Sequence, residues 1–337
     1  MKFLSAIILL TVAVAMADKD EDDWNFYKFQ FGKKHSPKEE ANRKRNFLAR
    51  QRVMEKHNKE NKDWQMGHNK FSDLSDDEKV SLLGAKPAIR RERLISREAA
   101  VPVLDRALPA SIDYRTDKCM QPVKDQGQCG SCWSFATIVP LEFNSCNKTG
   151  TAVALSEQML VDCDTGNGGC NGGMYDRAWQ FIQAKGGVMK SSSYSYTSGS
   201  IGTAETCKFD STAVGAKVAS FGWVTPSLVP DPTAIMTNLQ SNGPLPSGIK
   251  ILDSFYSYAS GVYSDPACIV DNKYDINHAV VIVGYGTTTA TSTDPATPYW
   301  IVRNSWSNGW GLSGYFFMKR GVNMCNIESW AAFVKVV

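Results

Sequence analysis

The chain has 337 residues, and its 37 lysines and arginines nearly balance 34 aspartates and glutamates. Beyond the first residues, no stretch of about 18 uninterrupted apolar residues occurs, which excludes a membrane-spanning helix and predicts a soluble product with no membrane partner. All nine cysteines lie beyond residue 118.

The first 17 residues have the pattern of a secretory signal peptide. Lys2 precedes an apolar run over residues 3–14, and Ala15 and Ala17 fit the small-residue rule for signal peptidase. We therefore expect an exported protein, in the lysosome or endosome or outside the cell, with no nucleic-acid partner. Cysteines mostly pair in an oxidising compartment, so the odd cysteine count predicts one free, reactive thiol.

The rest of the chain divides into two segments of different charge. Residues 18–107 carry 21 lysines and arginines against 17 acidic residues, and they contain no cysteine. Residues 108–337 carry 15 against 17 and contain every cysteine. A basic segment joined to a mildly acidic, cysteine-rich one indicates a prosegment, residues 18–107, that covers a mature domain beginning near Leu108.

Two helices are predicted in the prosegment. The aromatic-rich residues 24–31 are typical of a short helix. A second, long helix is predicted to start at Ser36 as N-cap, with Pro37 in the first turn and Glu39 closing a capping box, and to end near Asn61. One face of this helix carries a stripe of charged and apolar residues: Glu39, Arg43, Phe47, Arg50, Met54 and Asn58. By itself, such a stripe is equally well explained as a packing face with ion pairs.

The remainder of the prosegment shows two weaker patterns. Residues 67–73 alternate as in a strand, through Gly67, Asn69, Phe71 and Asp73. Residues 81–106, which include Arg90-Arg91-Glu92-Arg93, have the composition of an exposed and cleavable linker.

The candidate nucleophile lies in residues 126–136. Here a loop containing Gly130, between Cys129 and Cys132, leads into an apolar run with helical character. The first turn of a helix is its positive end and favours a thiolate, so Cys132 is placed to act as a nucleophile. Two other interpretations stay open at this point: Cys129 and Cys132 form a metal-binding or redox pair, or both are structural.

A cysteine nucleophile needs a base and a group that orients the base. His278 is the only histidine after Leu108, and it stands at the start of a strongly apolar predicted strand. A lone histidine is more often structural than catalytic. A second predicted strand, residues 299–303, ends at Asn304, whose side-chain amide is suited to accept a hydrogen bond from the imidazole.

These residues resemble the papain-like cysteine peptidases. The signature C-G-[SA]-C-[WY] of that family is present as residues 129–133, and His278 follows Cys132 by 146 residues, within the family's spacing. Asn304 follows Cys132 by 172 residues, beyond that spacing, and residues 287–298 are the candidate for a longer loop. Similar blocks recur along the chain at Gln126, Ser156-Glu157-Gln158, Asp162-Cys163, Cys170-Asn171-Gly172-Gly173, Asn304-Ser305-Trp306, Trp310-Gly311 and Gly314-Tyr315.

The prosegment is similar to propeptides of the cathepsin L-like branch, in both the long-helix stripe and the alternation over residues 67–73. The resemblance implies an α+β, two-lobed papain-like fold with a helical inhibitory propeptide. A helical left lobe is expected over about 118–220 and an antiparallel, β-barrel-like right lobe over about 221–330, with the chain ends crossing between them. The implied function is a cysteine endopeptidase made as an inactive zymogen, and a catalytically silent binding protein is the alternative.

The resemblance also implies a role for each site residue. Cys132 and His278 form a thiolate–imidazolium pair, in which each charge stabilises the other and lowers the thiol pKa. The Gln126 side chain and the Cys132 backbone N–H stabilise the oxyanion, Asn304 orients the imidazole, and Trp306 shields that hydrogen bond from water. No cofactor or metal is implied. The implied partners are polypeptide substrates, the chain's own propeptide and cystatin-type inhibitors, for a monomeric enzyme.

The resemblance implies three disulfides, Cys129–Cys170, Cys163–Cys207 and Cys268–Cys325. A fourth, Cys119–Cys146, is expected because a similar bridge occurs in cathepsin B-type members, and it leaves Cys132 free. One glycosylation sequon is present, at Asn147.

Specificity is also an expectation from the resemblance. Gly172 and Gly173 leave room for an extended substrate backbone. The pocket for the second residue before the scissile bond is expected to have Trp330 as its floor, which predicts a preference for small or medium aliphatic residues. The other residues expected to line it are Met174, Tyr175, Gly248, Ile276 and Ala279. No cleft-blocking insertion is evident between residues 163 and 181, which favours endopeptidase action.

The sequence departs from the family pattern at a few positions. Pro140 lies inside the predicted nucleophile helix, where proline removes a backbone hydrogen bond and normally kinks the helix. Asn326 replaces a common glycine, and Arg50 and Met54 replace the usual residues of the propeptide motif.

Overall fold

The computed structural model describes residues 18–61, 63–87, 107–225, 227–269, 271–290, 292 and 295–337. The predicted signal peptide, residues 1–17, and the arginine-rich part of the predicted linker lie outside the described residues. Within the described ranges, no helix has the length and apolar character needed to cross a membrane.

The secondary structure combines helices with a mainly antiparallel set of strands. The helices are α1 (residues 18–30), α2 (Pro37–Glu60), α3 (Asp76–Val80), α4 (Cys132–Thr149), α5 (Glu157–Cys163), α6 (Tyr175–Lys185), α7 (Ser198–Ile201) and α8 (Pro232–Asn242). The strands are β1 (Trp64–Met66), β2 (Ile112–Asp113), β3 (Val188–Met189), β4 (Val214–Ala216), β5 (Val218–Trp223), β6 (Leu245–Ile249), β7 (Tyr258–Tyr263), β8 (His278–Thr287), β9 (Pro298–Arg303), β10 (Tyr315–Lys319) and β11 (Ala332–Val336).

Helices α1 and α2 confirm the two helices predicted in the propeptide. The Glu39 carboxylate accepts hydrogen bonds from the Ser36 hydroxyl (2.6 Å) and the Ser36 backbone N–H (3.3 Å), which fixes the first turn of α2. Trp24 and Tyr27 of α1 pack against Phe47 of α2 as a separate small core. The two helices therefore stabilise each other through a core of their own.

The predicted strand at residues 67–73 is wrong. The strand lies just before it, at β1, and pairs antiparallel with β7. Residues 69–74 form turns instead, because the Asn69 side chain accepts a hydrogen bond from the Phe71 backbone N–H (2.9 Å) and donates one to the Tyr256 carbonyl (2.8 Å). The alternation of residue types that suggested a strand therefore lies in a turn bonded through the Asn69 side chain.

Helix α4 continues through Pro140. A proline removes one backbone donor and crowds the preceding turn, which leaves carbonyl oxygens without their usual helical partners. The indole N–H of Trp179, from α6, donates to the carbonyl of Thr137 in that turn (3.2 Å). The carbonyl that loses its helical donor at Pro140 is that of Ala136, so the contact from Trp179 adds a hydrogen bond one residue further along the same turn.

The β-rich half is built on a seven-stranded sheet. Its order is β1-β7-β10-β9-β8-β2, with β6 also paired to β8, and only the β7–β10 pairing is parallel. Among the described strands this sheet is open, so the expected barrel-like form is not closed. Strand β11 pairs with β5 in a separate two-stranded sheet, and β2 near the start of residues 107–337 joins the large sheet.

Strand β8 connects the two halves of the molecule. Its side chains alternate between faces, as in any strand. Ala279 and Val281 share one core with Ala136 of α4, whereas Val280 and Ile282 belong to the core of the large sheet. This packing holds the first residue of β8 near the first turn of α4, and those two positions are His278 and Cys132.

The structure contains four disulfides, and they are the four expected ones. Cys119–Cys146 ties the segment before α4 to the last turn of that helix. Cys129–Cys170 fixes the loop that enters α4. The free cysteine is Cys132.

Candidate active site

Cys132 is the first residue of α4, as predicted. It is completely buried, and Ser131 is the N-cap of the helix. Because the first turn of an α-helix has unpaired N–H groups, Sγ lies at the positive end of the helix dipole. The backbone N–H of Ala279 also points at Sγ, at 3.4 Å.

His278 lies next to that N–H, at the start of β8. Its Nε2 is 2.8 Å from Oδ1 of Asn304, which also accepts the backbone N–H of Ser305 (2.8 Å). Since an amide oxygen can only accept, Nε2 carries the proton and Nδ1 is free to act as a base. Nδ1 is buried and has no hydrogen-bond partner among the described residues.

Trp306 covers the histidine–asparagine hydrogen bond. Its ring lies 4.9 Å from the His278 ring between centroids, and it is fully buried. The propeptide reaches the same place, since Phe71 meets Trp306 edge to face at 5.2 Å. The shielding expected of Trp306 therefore agrees with its position.

The Gln126 side chain is held in one orientation. Its Oε1 accepts a hydrogen bond from the Ser305 hydroxyl (2.7 Å). Nε2 is thereby directed the other way, and it donates to the carbonyls of Cys129 and of Leu82 in the propeptide, both at 2.8 Å. A propeptide carbonyl thus takes the donor that the sequence assigned to an oxyanion.

Burial under residues 82–86 acts against the expected ion pair. It raises the pKa of Cys132 to about 11, although nearby backbone N–H groups of Ala279 and Gly84 oppose that shift. It also lowers the pKa of His278 to about 4, against the hydrogen bond with Asn304. Burial therefore favours the neutral form of both groups, because water is excluded from the charged forms.

Residues 82–86, in the predicted propeptide, fill the cleft. Gly173 N–H donates to the Gly84 carbonyl (2.8 Å), Lys86 N–H to the Gly173 carbonyl (3.1 Å), and Ala85 N–H to the Asn277 carbonyl (3.0 Å). Ala85 and Gly173 pair as parallel chains. The prediction of an exposed linker from residue 81 onward is wrong for these residues, because Leu82, Gly84 and Ala85 are buried in the cleft.

The residues expected to line the specificity pocket lie in one cluster of buried side chains. Trp330, 3% exposed, packs in one core with Ala85 of the propeptide. Four other predicted residues belong to that core: Met174, Tyr175, Ile276 and Ala279.

Two polar contacts and one glycine shape this pocket. The Tyr175 hydroxyl donates to the Trp330 carbonyl, and the Trp330 indole N–H donates to the Lys273 carbonyl (2.7 Å). A Cβ on Gly248 would lie 2.3 Å from Cδ1 of Ile276, so a residue with a side chain at position 248 would clash with Ile276.

Two family models match the chain. The model of the papain family cysteine proteases matches residues 108–335, and that of the cathepsin propeptide inhibitor domain (I29) matches residues 24–78. The chain belongs to the papain family of cysteine proteases.

This papain-family protease is similar to full-length relatives. It is 33% identical to cathepsin L of Sarcophaga peregrina, over 99% of this chain and 98% of the relative. It is 35% identical to digestive cysteine proteinase 1 of Homarus americanus, over 98% and 99%. The structure of digestive procathepsin L2 from Tenebrio molitor larval midgut matches with a TM-score of 0.82 at 28% identity, over 94% and 99%.

These matches confirm the papain-like fold and a cathepsin L-like cysteine protease made as a zymogen. The match to the inhibitor domain ends at residue 78, before the propeptide residues that fill the cleft. Three contributors to the site of this papain-family protease were missed from the sequence: Ser305, Leu82 and Gly84. Ser305 lies in the Asn304-Ser305-Trp306 block, which was the one available signal, whereas nothing in the composition of residues 81–87 marked them as buried.

The neutral thiol leads to a testable pH dependence for this papain-family precursor. A thiol of pKa about 11 gains thiolate only as the pH rises, and a thiolate absorbs in the ultraviolet whether or not a reagent can reach it. We expect the Cys132 thiolate absorbance of the intact precursor to be nearly absent at pH 7 and to rise toward pH 11. Ultraviolet difference spectra against the Cys132→Ala precursor measure it. A thiolate absorbance already complete at pH 7 would show that the thiolate is formed under the propeptide.

Proposed function

We propose that this papain-family zymogen yields an endopeptidase whose nucleophile is Cys132 and whose base and acid is His278. Asn304 orients the imidazole and Gln126 supplies an oxyanion donor. One arrangement supports the proposal above all. The free cysteine lies at the N-terminus of a helix, and the adjacent strand begins with a histidine whose Nε2 is hydrogen-bonded to an asparagine.

Release of the propeptide starts the chemistry. Water then enters the cleft, the desolvation that keeps both groups neutral falls, and the proton moves from Cys132 to Nδ1 of His278. The thiolate attacks the substrate carbonyl, and Gln126 Nε2 with the Cys132 N–H stabilises the oxyanion. His278 protonates the leaving amine and later activates the water that hydrolyses the thioester.

The pocket supports a preference for small or medium aliphatic residues two positions before the scissile bond. Trp330 fills the space at its base, and the propeptide places an alanine, Ala85, in the same core. An indole offers no charge to pair with an acidic or basic substrate side chain. Gly172 and Gly173 bring an extended substrate backbone close to the cleft wall, as residues 84–86 now are.

We expect Trp330→Ala to widen this preference toward larger residues such as leucine and phenylalanine. Removing an indole vacates a volume that a larger apolar side chain fills with favourable burial. Peptide-library profiling of the activated enzyme measures the change, and Tyr274→Ala, at an exposed ring beside Trp330, is the control. An unchanged profile would remove Trp330 from the pocket.

Processing and location complete the proposal. Residues 1–17 direct export, residues 18–107 are removed as the propeptide, and residues 108–337 act as a monomer in the lysosome or endosome or outside the cell. Asn147 is exposed at the end of α4 and accepts a glycan. Cystatin-type proteins are the expected external inhibitors.

Acidification of the recombinant precursor tests the assignment. The wild-type chain should lose its propeptide, give a new N-terminus near Leu108 and cleave peptides, whereas Cys132→Ala should stay full-length and inactive. Adding a trace of activated wild-type enzyme should convert the Cys132→Ala precursor to mature length without restoring activity, which shows that the variant is folded. Peptidase activity of the matured Cys132→Ala protein would overturn the assignment.

A further inference from the structure

The loop from Gln126 to Ser131 joins the proposed oxyanion donor to the nucleophile helix. A second segment, residues 196–199, lies directly against it. Gly127 has φ +59°, and a Cβ there would lie 2.3 Å from the Gly199 carbonyl oxygen. The same oxygen accepts the Gln128 N–H at 2.8 Å. The shape of the loop therefore depends on contact with residues 196–199.

The Tyr196 hydroxyl touches both ends of this loop. It donates to the backbone carbonyl of Gln126 at 2.8 Å, and it lies 2.7 Å from Oγ of Ser131, the N-cap of α4. A phenol has one hydrogen to donate, and a carbonyl can only accept. The Ser131 hydroxyl therefore donates to the Tyr196 hydroxyl, which in turn donates to the Gln126 carbonyl.

We propose that Tyr196 is a positioning residue for the oxyanion site, because its hydroxyl holds the Gln126 backbone at a fixed distance from the first turn of α4. The inference rests on the oxyanion role proposed for Gln126. Ser305 holds Gln126 independently, since its hydroxyl donates to the side-chain Oε1 (2.7 Å) and its carbonyl accepts the Gln126 backbone N–H (2.9 Å). Removing the Tyr196 hydroxyl therefore frees only the Gln126 carbonyl.

The hydroxyl can be separated from the packing of the ring. Tyr196 meets Phe135 of α4 edge to face, with ring centroids 5.0 Å apart, and a phenylalanine keeps that contact. Burial raises the pKa of Tyr196, so the hydroxyl keeps its proton at acidic and neutral pH. The Tyr196 hydroxyl can therefore donate its hydrogen bond in assays at acidic and at neutral pH.

The test compares activated Tyr196→Phe with wild type. We expect kcat/KM for a peptide substrate to fall about tenfold with KM nearly unchanged, less than the 10²–10³ that loss of a whole oxyanion donor costs in serine proteases. The rate of iodoacetamide alkylation of Cys132 should stay within about twofold, since that reaction develops no oxyanion. The matched control is Tyr194→Phe, in the same segment, whose hydroxyl donates instead to Asp162 (2.7 Å) and should not affect kcat/KM.

The Gln126→Ala background separates the inference from the proposed function. If Tyr196 acts through Gln126, adding Tyr196→Phe to Gln126→Ala should cost less than about twofold further. A full tenfold further loss, or a Tyr196→Phe enzyme with wild-type kcat/KM, would overturn the inference. Wild-type activity of Gln126→Ala alone would instead overturn the oxyanion role of Gln126.

Discussion

Gly84→Val in the full-length precursor is expected to abolish its latency. A Cβ at this position would lie 1.8 Å from the backbone carbonyl oxygen of Gly130, in the loop that enters the nucleophile helix. Neither backbone can yield without breaking neighbouring contacts, because Gly130 N–H donates to the Cys170 carbonyl and Gly84 accepts the Gly173 N–H. Propeptide residues 82–86 must then leave the cleft.

Overpacking of this kind costs about 1–3 kcal/mol or more, and 3 kcal/mol corresponds to roughly a hundredfold shift toward the open cleft. The measurement is the alkylation rate of Cys132 in the intact precursor at pH 7, which should rise about a hundredfold. Lys86→Ala is the matched control, since Lys86 lies in the same segment with an exposed side chain and keeps its backbone hydrogen bond. A Gly84→Val precursor as unreactive as wild type would mean that propeptide residues before 82, such as Phe71 against Trp306, close the cleft without residues 82–86.

Gly84 also shows where sequence reasoning stopped. The proposed catalytic residues could be picked out from the sequence because few residue types perform each step: one unpaired cysteine, one histidine in the mature segment and one amide at a strand end. The propeptide helices were predictable from capping residues and periodicity. Gly84 has no such local signature. A side chain is excluded there by the backbone of Gly130, which is more than 40 residues away in the chain.

That burial favours the neutral thiol and imidazole could not be predicted for the same reason. The sequence places a thiol, an imidazole and a helix dipole together, and these favour an ion pair. Burial by the propeptide reverses that balance, and burial depends on the whole fold. The wrongly predicted strand at residues 67–73 has a local cause instead. The Asn69 side chain forms a turn with the Phe71 N–H, and the sequence there has the same alternation of residue types as a strand.

Lys124→Met is expected to destabilise the protein by about 3–5 kcal/mol, because it leaves two buried carboxylates without a counter-charge. Nζ of Lys124 lies 2.7 Å from Oε1 of Glu142, in α4, and 2.7 Å from Oε1 of Glu157, at the start of α5. Both glutamate side chains are only 2% exposed. Burial would lower the pKa of Lys124, but attraction to Glu157 and Glu142 outweighs it and raises that pKa.

The control variants separate charge from packing. Lys118→Met, at an exposed position before α4, should leave stability within about 0.5 kcal/mol. Adding Glu142→Gln and Glu157→Gln to Lys124→Met should recover most of the loss, since neutral amides need no counter-charge. Urea unfolding in the Cys132→Ala background, which prevents self-cleavage, measures each difference.

The stability lost in Lys124→Met should grow as the pH rises. Burial already raises the pKa of Glu142 above its ordinary value, despite the opposing attraction of Lys124, and removal of that lysine raises it further. A folded state with the higher carboxyl pKa binds more protons than the unfolded chain, so its stability falls as the pH rises from the unfolded value near 4.5. The deficit should therefore be small near pH 4 and full at pH 7. A deficit independent of pH would indicate that lost packing of the lysine stem, rather than two unpaired carboxylates, destabilises the variant.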